Sequence, residues 1–208
     1  PLILITRTMN KKYILAHDTG TGGDKAVLTD LKGKVIHSVY QDYGLIYPRP
    51  EWAEQDPEEL WQTVAATTKK VIAESKIDPG EILGVGISAQ MFNLLPVDEH
   101  GKPLTRMLSW LDLRSVKQAD RILAGDNPKF FFDKTGNIPT AKDIIPKILW
   151  LKEEEPEIWD RTAYLLDCKE YIIYKLTGKF ATDWHGASVY FLFDPKKKEW
   201  SKEVCALL

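Results

Sequence analysis

Asp18-Thr19-Gly20-Thr21-Gly22-Gly23 sets a carboxylate before two hydroxyls and three glycines, and Lys25 follows two positions later. A tight turn of this composition offers backbone N–H groups and threonine hydroxyls to phosphate oxygens. The Asp18 carboxylate is placed to hold Mg²⁺ through a water molecule, and the Lys25 ammonium to offset phosphate charge. Two better-known phosphate loops do not fit. A Walker loop requires G-x-x-x-x-G-K-[ST], which Asp24-Lys25-Ala26 fails to supply. A dinucleotide fingerprint opens a helix, whereas the residues after Gly23 read as a strand. A plainer role stays open: Gly20, Gly22 and Gly23 would simply permit positive φ in a hairpin.

The same residues carry a hydrolytic reading as well. Asp18-Thr19-Gly20-Thr21 matches the D-T-G-[ST] loop of aspartic proteases, where two such acids share one proton. Ile82-Leu83-Gly84 matches the apolar-apolar-Gly element that follows that loop in the retroviral type. A dimer would be required, because no second D-T-G occurs. His17 stands where those enzymes carry an apolar residue, and a long helix between the two elements is foreign to an all-β protease.

The elements that must hold the turn follow from periodicity. Strands are predicted over about residues 12–17, 25–30 and 34–42, the first two closing on the Asp18–Gly23 turn. A Pro-rich loop, Tyr47 to Glu54, leads to Asp56-Pro57-Glu58-Glu59, an N-cap, a proline at N1 and acids in the first turn. Leu60, Trp61, Val64, Thr68, Val71 and Ile72 continue that helix to about residue 75. Ile82–Ser88 is a continuous apolar run, which predicts a strand buried on both faces. Leu94–Val97 is expected to pair with the residues after the Asp98–Gly101 turn. Further helices are predicted over about 113–124, 142–153 and 168–177, the last stopping at Gly178. Strands first and helices interleaved later give an α/β fold with a mixed β-sheet flanked by helices.

Composition narrows the partners. The chain has 208 residues, 44% hydrophobic and 28% charged, with a net charge of −2, as a soluble globular protein does. Without a basic excess, nucleic acid is not the expected partner. No apolar run is long enough to span a membrane. Cys168 and Cys205 show neither metal spacing nor a secreted disulfide framework, which points to the cytoplasm. Met9 has the character of a start, so residues 1–8 read as an upstream extension and 9–208 as the domain proper.

Six segments occur in a characteristic order. They begin with Asp18-Thr-Gly-Thr, then Trp52-Ala-Glu-Gln-Asp-Pro57 with Trp61, then Gly86-Ile-Ser-Ala-Gln-Met91. Trp110-Leu-Asp-Leu-Arg114 comes next, followed by Thr135-Gly-Asn137 with Pro146-Lys-Ile-Leu-Trp150, and by Leu176-Thr-Gly-Lys-Phe-Ala-Thr-Asp183. This order resembles the N-terminal half of the FGGY carbohydrate kinases, and within that family its xylulokinases most. The resemblance covers essentially all residues after Met9. It implies an actin/hexokinase-like (ribonuclease H-like) fold, two such domains around a cleft, ATP with Mg²⁺ as donor and a small sugar as acceptor. Asp18, Thr19, Gly20, Thr21, Gly22, Gly23 and Lys25 would then approach the ATP phosphates, with Asp18 the water-mediated metal contact. Gln90, Met91, Phe92, Trp110, Asp112 and Arg114 would line the sugar pocket, Asp112 accepting from hydroxyls, Arg114 donating and Trp110 offering a ring face.

Plainer roles stand beside these. Asp112 and Arg114 would also serve as a surface ion pair, Trp110 as core, Asp183–Ser188 as an inter-strand turn, and His185 as a surface histidine. Three departures from the family pattern bear on substrate. Phe92 replaces the histidine of Gln-Met-His, Leu111 replaces a polar residue between Trp110 and Asp112, and the Gln-Arg-Glu of glycerol kinases is absent. A less polar pocket favours a deoxy sugar or related polyol over D-xylulose and disfavours glycerol. The family's general base, an Asp in a Gly-Asp motif, is expected beyond Leu208, and the nucleotide domain further on. The chain is therefore expected to be an N-terminal fragment, inactive alone, whose missing C-terminal domain leaves bare a surface that favours a homodimer. A non-catalytic sugar- or partner-binding module is the alternative of a different class.

Overall fold

Buried and exposed residues alternate along Tyr13–Thr19 (β1), which puts Leu15, His17 and Thr19 on one face and Ile14, Ala16 and Asp18 on the other. β1 runs antiparallel to Gly23–Asp30 (β2), and β2 antiparallel to Val35–Asp42 (β3). Ile82–Ala89 (β4) lies parallel to β1 on its other side, giving the order β3-β2-β1-β4. A parallel pair cannot be closed by a hairpin, and the connection from β3 to β4 carries the helix Pro57–Ser75 (α1), with Glu58 and Glu59 in its first turn as predicted. Leu15, Ala26, Leu28, Val39 and Val71 form the core of this unit, with Ile72 and Ile82 packed against it. A parallel pair joined by a helix is not an all-β protease, so that architecture is overturned.

The computed structural model describes residues 11–124 and 127–208, divided into two compact units. The sheet and α1 belong to the first, made of residues up to Gly44 and Glu58–Gln90. The proposed extension, residues 1–8, and Met9 lie outside the described residues. One prediction here is corrected. β4 is the edge of its sheet rather than a strand buried on both faces, and Leu83 and Val85 are 50% and 49% exposed. Among the described residues β1 is its only strand neighbour, and apolar composition alone cannot distinguish an edge from a centre.

The second unit comprises Leu45–Pro57 and Met91–Leu208. As expected, the Leu94–Val97 stretch pairs with the segment after the Asp98 turn, through antiparallel bridges Leu94 to Leu108 and Val97 to Pro103 and a bond from Leu104 N to Pro96 O. Leu95–Val97 (β5) also pairs antiparallel with Tyr164–Leu166 (β6), nearly seventy residues away along the chain. Glu54–Gln55 pairs with Met107–Leu108. Three predicted helices are present as Val116–Ile122 (α2), Ile144–Glu154 (α4) and Cys168–Thr177 (α5). α5 ends at Gly178 with φ +68°, the left-handed stop expected there. Asn127–Thr135 (α3) was not legible. Ile144, Ile145, Ile148 and Leu151 of α4 centre a core shared with Leu94, Leu108, Phe131 and Val189–Leu192. Asp183–Ser188 is corrected from a turn to a helix: Asp183 caps Trp184–Val189 (α6), its carboxylate accepting from Gly186 N at 2.7 Å. Among the described residues no helix is long and apolar enough to cross a membrane.

Candidate phosphate turn and sugar site

The β1–β2 hairpin is tighter than predicted, since Thr19 and Gly23 both lie within strands. Gly20 N donates to Gly23 O at 2.9 Å, Tyr40 Oη to Gly22 O at 3.0 Å and Tyr43 N to Gly22 O at 3.2 Å, while the Tyr43 hydroxyl bonds Gly20 O. The Gly20, Gly22 and Gly23 carbonyls are thereby tied back onto the protein. None of Gly20, Gly22 and Gly23 has positive φ, which overturns that explanation of them. Gly23 is required for space instead: a Cβ there would sit 2.5 Å from Gln41 O and from the Tyr40 hydroxyl. Asp18 and Lys25 are opposite one another in the ladder and both exposed, on the strand face turned away from α1 and the core. Gln90 follows β4 in this unit, its N–H donating to Thr19 O at 2.9 Å.

Behind the turn lies a buried polar cluster that motif reading missed. His17 Nδ1 donates to Asp24 Oδ2 at 2.9 Å, Thr19 Oγ1 to Asp24 Oδ1 at 2.8 Å and Thr67 Oγ1 to Asp24 Oδ2 at 2.5 Å. Thr68 Oγ1 of α1 lies 3.1 Å from His17 Nε2. Burial by itself would raise the Asp24 carboxyl. The hydrogen bonds from His17, Thr67 and Thr19, with the attraction of His17, outweigh it and hold the carboxyl below its ordinary value. The signal was available: His17 and Thr19 occupy the same strand phase as Leu15.

In the second unit Asp112 and Arg114 are not the surface pair of the plainer reading. Asp112 is fully buried and the Arg114 side chain 3% exposed. Arg114 Nε and one terminal nitrogen each bond an Asp112 oxygen at 2.8 Å, and that nitrogen also reaches Glu54 Oε1 at 2.7 Å. Ala53 N donates to Asp112 Oδ2 at 2.7 Å. The guanidinium lies 3.6 Å from the Trp52 ring centroid and 4.9 Å from that of Trp150. The pair thus ties the Trp52–Glu54 segment to the Trp110 loop.

Met91, Phe92 and Trp110 are brought together by buried groups. Phe92 has φ +66°, and its ring packs edge-on to Phe191 at 5.8 Å. Asp167, ahead of α5, accepts from Phe92 N at 2.8 Å, Asn93 N at 3.2 Å and Asn93 Nδ2 at 2.8 Å. Asn93 Oδ1 in turn accepts from Trp110 N at 3.1 Å. The Lys147 ammonium donates to Phe92 O at 2.8 Å, Ser109 O at 2.9 Å and Lys142 O at 2.7 Å. Burial pushes Lys147 down to about 8 and Asp167 up to about 7. The Trp110 ring is half-buried, with Lys142 Nζ 5.8 Å from its centroid. His185 is exposed, with Nε2 3.2 Å from Met91 Sδ.

Residues 13–208 match the N-terminal domain model of the FGGY family of carbohydrate kinases. A xylulose kinase of Bacillus subtilis (strain 168) is 31% identical over 196 residues, covering 93% of this chain and 39% of its own length. The crystal structure of a ligand-bound xylulose kinase from Lactobacillus acidophilus superimposes with a TM-score of 0.88 at 30% identity, over 94% of this chain and 39% of that one. A Plasmodium falciparum glycerol kinase solved with ADP gives a TM-score of 0.85 at 27% identity, over 94% of this chain and 40% of that one. The chain therefore spans about 39% of the length of the curated relatives it matches. The fold of the mixed sheet and its flanking helices is the actin/hexokinase-like (ribonuclease H-like) one. From these matches, the chain belongs to the FGGY family of carbohydrate kinases.

Proposed function

We propose that this chain supplies the phosphate turn and the sugar pocket of an enzyme that transfers the γ-phosphoryl group of ATP to a hydroxyl of a small sugar, a pentulose such as xylulose or a relative. The observation that carries the reading is the turn itself, whose carbonyls are tied back by Tyr40 and Tyr43 beside the exposed Asp18. Phosphoryl transfer asks little covalent chemistry of the protein; positioning and charge stabilisation do most of the work. Backbone donors of the turn other than Gly20 N, which is bonded to Gly23 O, and the Thr21 hydroxyl hold phosphate oxygens, and Lys25 offsets their charge. No group of three or more metal-ligating side chains exists among the described residues. A single free-standing carboxylate such as Asp18 fits a Mg²⁺ that arrives on the nucleotide and is touched through water. When bound, that ion neutralises charge between the phosphates.

Met91, Phe92 and Trp110 form the apolar side of the sugar pocket in the second unit; Gln90, in the first unit, is assigned separately as a hydrogen-bonding residue for the sugar. Asp112 and Arg114, which the resemblance assigns to sugar hydroxyls, are buried and bonded to each other, and serve the pocket instead by fixing the Trp110 loop. The general base and the adenine site are assigned to the part of the protein outside this chain, in keeping with relatives of greater length. Phe92 and Leu111 favour a substrate with one polar group fewer than D-xylulose. Side-by-side turnover of D-xylulose, 5-deoxyxylulose and glycerol by the whole protein, followed as ADP release, tests both levels. Faster turnover of 5-deoxyxylulose supports the apolar pocket. Faster D-xylulose turnover removes that detail, and no ADP release with any polyol, together with retained sugar binding, replaces the kinase by a binding module.

A further inference from the structure

We propose that Lys147 and Asp167 are a pair of positioning residues that clamp the Met91–Asn93 turn against the Trp110 loop, so that sugar affinity rather than turnover depends on them. The proposal rests on the sugar-kinase reading above and adds two residues that touch neither substrate nor nucleotide in it.

The clamp is built from both chemical sides of one strained turn. Phe92 holds φ +66°, a region costly for a residue with a Cβ. Its N–H is fixed by Asp167 at 2.8 Å and its C=O by Lys147 at 2.8 Å. The same two groups extend to the Trp110 loop: Lys147 bonds Ser109 O directly, and Asp167 orients Asn93, whose Oδ1 accepts from Trp110 N. Lys147 has three N–H donors and all three go to carbonyls. A neutral lysine retains two, so deprotonation must release one of the three loops. A protonated Asp167 likewise loses acceptor capacity toward Phe92, Asn93 and Cys168, whose N–H groups it now satisfies together.

The charged surroundings set the window. Asp112 and Arg114 of the Trp110 loop, Asp143 at the start of α4 and Asp167 face Lys147; the acids favour its charge and Arg114 opposes it, while burial lowers it to about 8. Asp167 is raised to about 7 by burial, with Glu170 of α5 adding to the rise, and Tyr190 faces the same two acids. The clamp is complete where Asp167 is ionised and Lys147 protonated, from about pH 7 to about pH 8, and its two limbs belong to the pair. Stability runs the other way. From the ordinary 3.8 to about 7 the folded chain keeps a proton at Asp167 that the unfolded chain has lost, so stability falls as pH rises. From about 8 to the ordinary 10.5 the unfolded chain keeps a proton at Lys147 that the folded chain has lost, so stability rises with pH. The pair's contribution to stability is lowest where its grip on the turn is complete.

The test is a pH series from 6 to 9 on the whole wild-type protein, reading sugar KM, ATP KM, kcat and melting temperature in the same buffers, with D-xylulose as the sugar. The expected result is a sugar KM that is lowest near pH 7.5 and rises several-fold toward both ends, with ATP KM flat. Lys147→Met should raise sugar KM about tenfold with kcat within about threefold, and Lys147→Met and Asp167→Asn should each reduce the two-limbed profile to a single limb. A sugar KM that is flat across the series, on protein shown folded by its melting curve, overturns the clamp even if neither variant folds. Absence of ADP release by wild type at pH 7.5 with D-xylulose, 5-deoxyxylulose and glycerol alike overturns the kinase reading and the clamp with it, so the two failures are told apart.

Discussion

Gly23 lies against the Tyr40 hydroxyl so closely that an added Cβ would sit 2.5 Å from it, and at the same distance from Gln41 O. The tyrosine is also the group that draws the Gly22 carbonyl back at 3.0 Å. One contact therefore both excludes side chains from the turn and shapes it. Gly23→Ala is expected to raise ATP KM about tenfold, consistent with an overpacking cost of ~1–3 kcal/mol, and to leave sugar KM unchanged. Adding Tyr40→Phe should not restore it, because the clash with the Gln41 backbone remains. Steady-state kinetics of the single and double variants decide the matter.

Asp18→Ala separates the phosphate role from folding. Asp18 is exposed, so its removal should leave the melting temperature within a degree or two. Turnover should fall by about a hundredfold or more, the scale seen when one preorganised charge-stabilising group is lost. A Mg²⁺ titration of the variant checks the assignment: its apparent Mg²⁺ requirement should rise.

Arg114 is expected to behave as a structural keystone. Its side chain is 3% exposed and bonded to Asp112 and Glu54. Arg114→Ala leaves the buried Asp112 carboxylate without its guanidinium and Glu54 with only Arg106, 3.6 Å away, and should cost about 3–5 kcal/mol. Arg114→Lys should recover only part, since lysine cannot reproduce the bidentate fork or the stacking on Trp52. Urea unfolding of the three proteins gives the comparison.

Asp24 predicts an acid limb of stability. Its folded value is depressed, so its contribution is fully present above the ordinary 3.8 and is lost as pH falls through the lower folded value. Thr67→Val removes one of its donors and should shrink that contribution by about 1–2 kcal/mol at neutral pH. Urea unfolding between pH 3 and 7 should show the wild type losing this advantage below pH 4 and the variant lacking part of it throughout.

Much of the frame was open to sequence reading because its signals are local. The first hairpin, α1 with its proline and acids, and the Gly178 stop each rest on neighbouring residues. What escaped depends on distance along the chain. β5 pairs with β6 as well as with the segment after the Asp98 turn, and nothing in Leu95–Val97 specifies that distant second partner. The edge position of β4 is a property of sheet order, invisible in an apolar run. In the site, the residues of the phosphate turn were legible as types, but the reason for Gly23 was not, because Tyr40 closes on it from another strand. Lys147 was legible only as part of Pro146-Lys-Ile-Leu-Trp150, and Asp167 not at all. Burial against Phe92 and Asn93 gives them their role, and burial is a tertiary fact.

The three carbonyl oxygens around the Lys147 nitrogen make a cage of the kind that holds a potassium or sodium ion. Here the cation is tethered by its own side chain. It cannot wash out at low ionic strength, and it leaves no room for a dissolved ion to compete. If the sugar pocket proposed above is the one Lys147 braces, exchanging potassium for sodium or choline in the buffer should leave sugar affinity where it was.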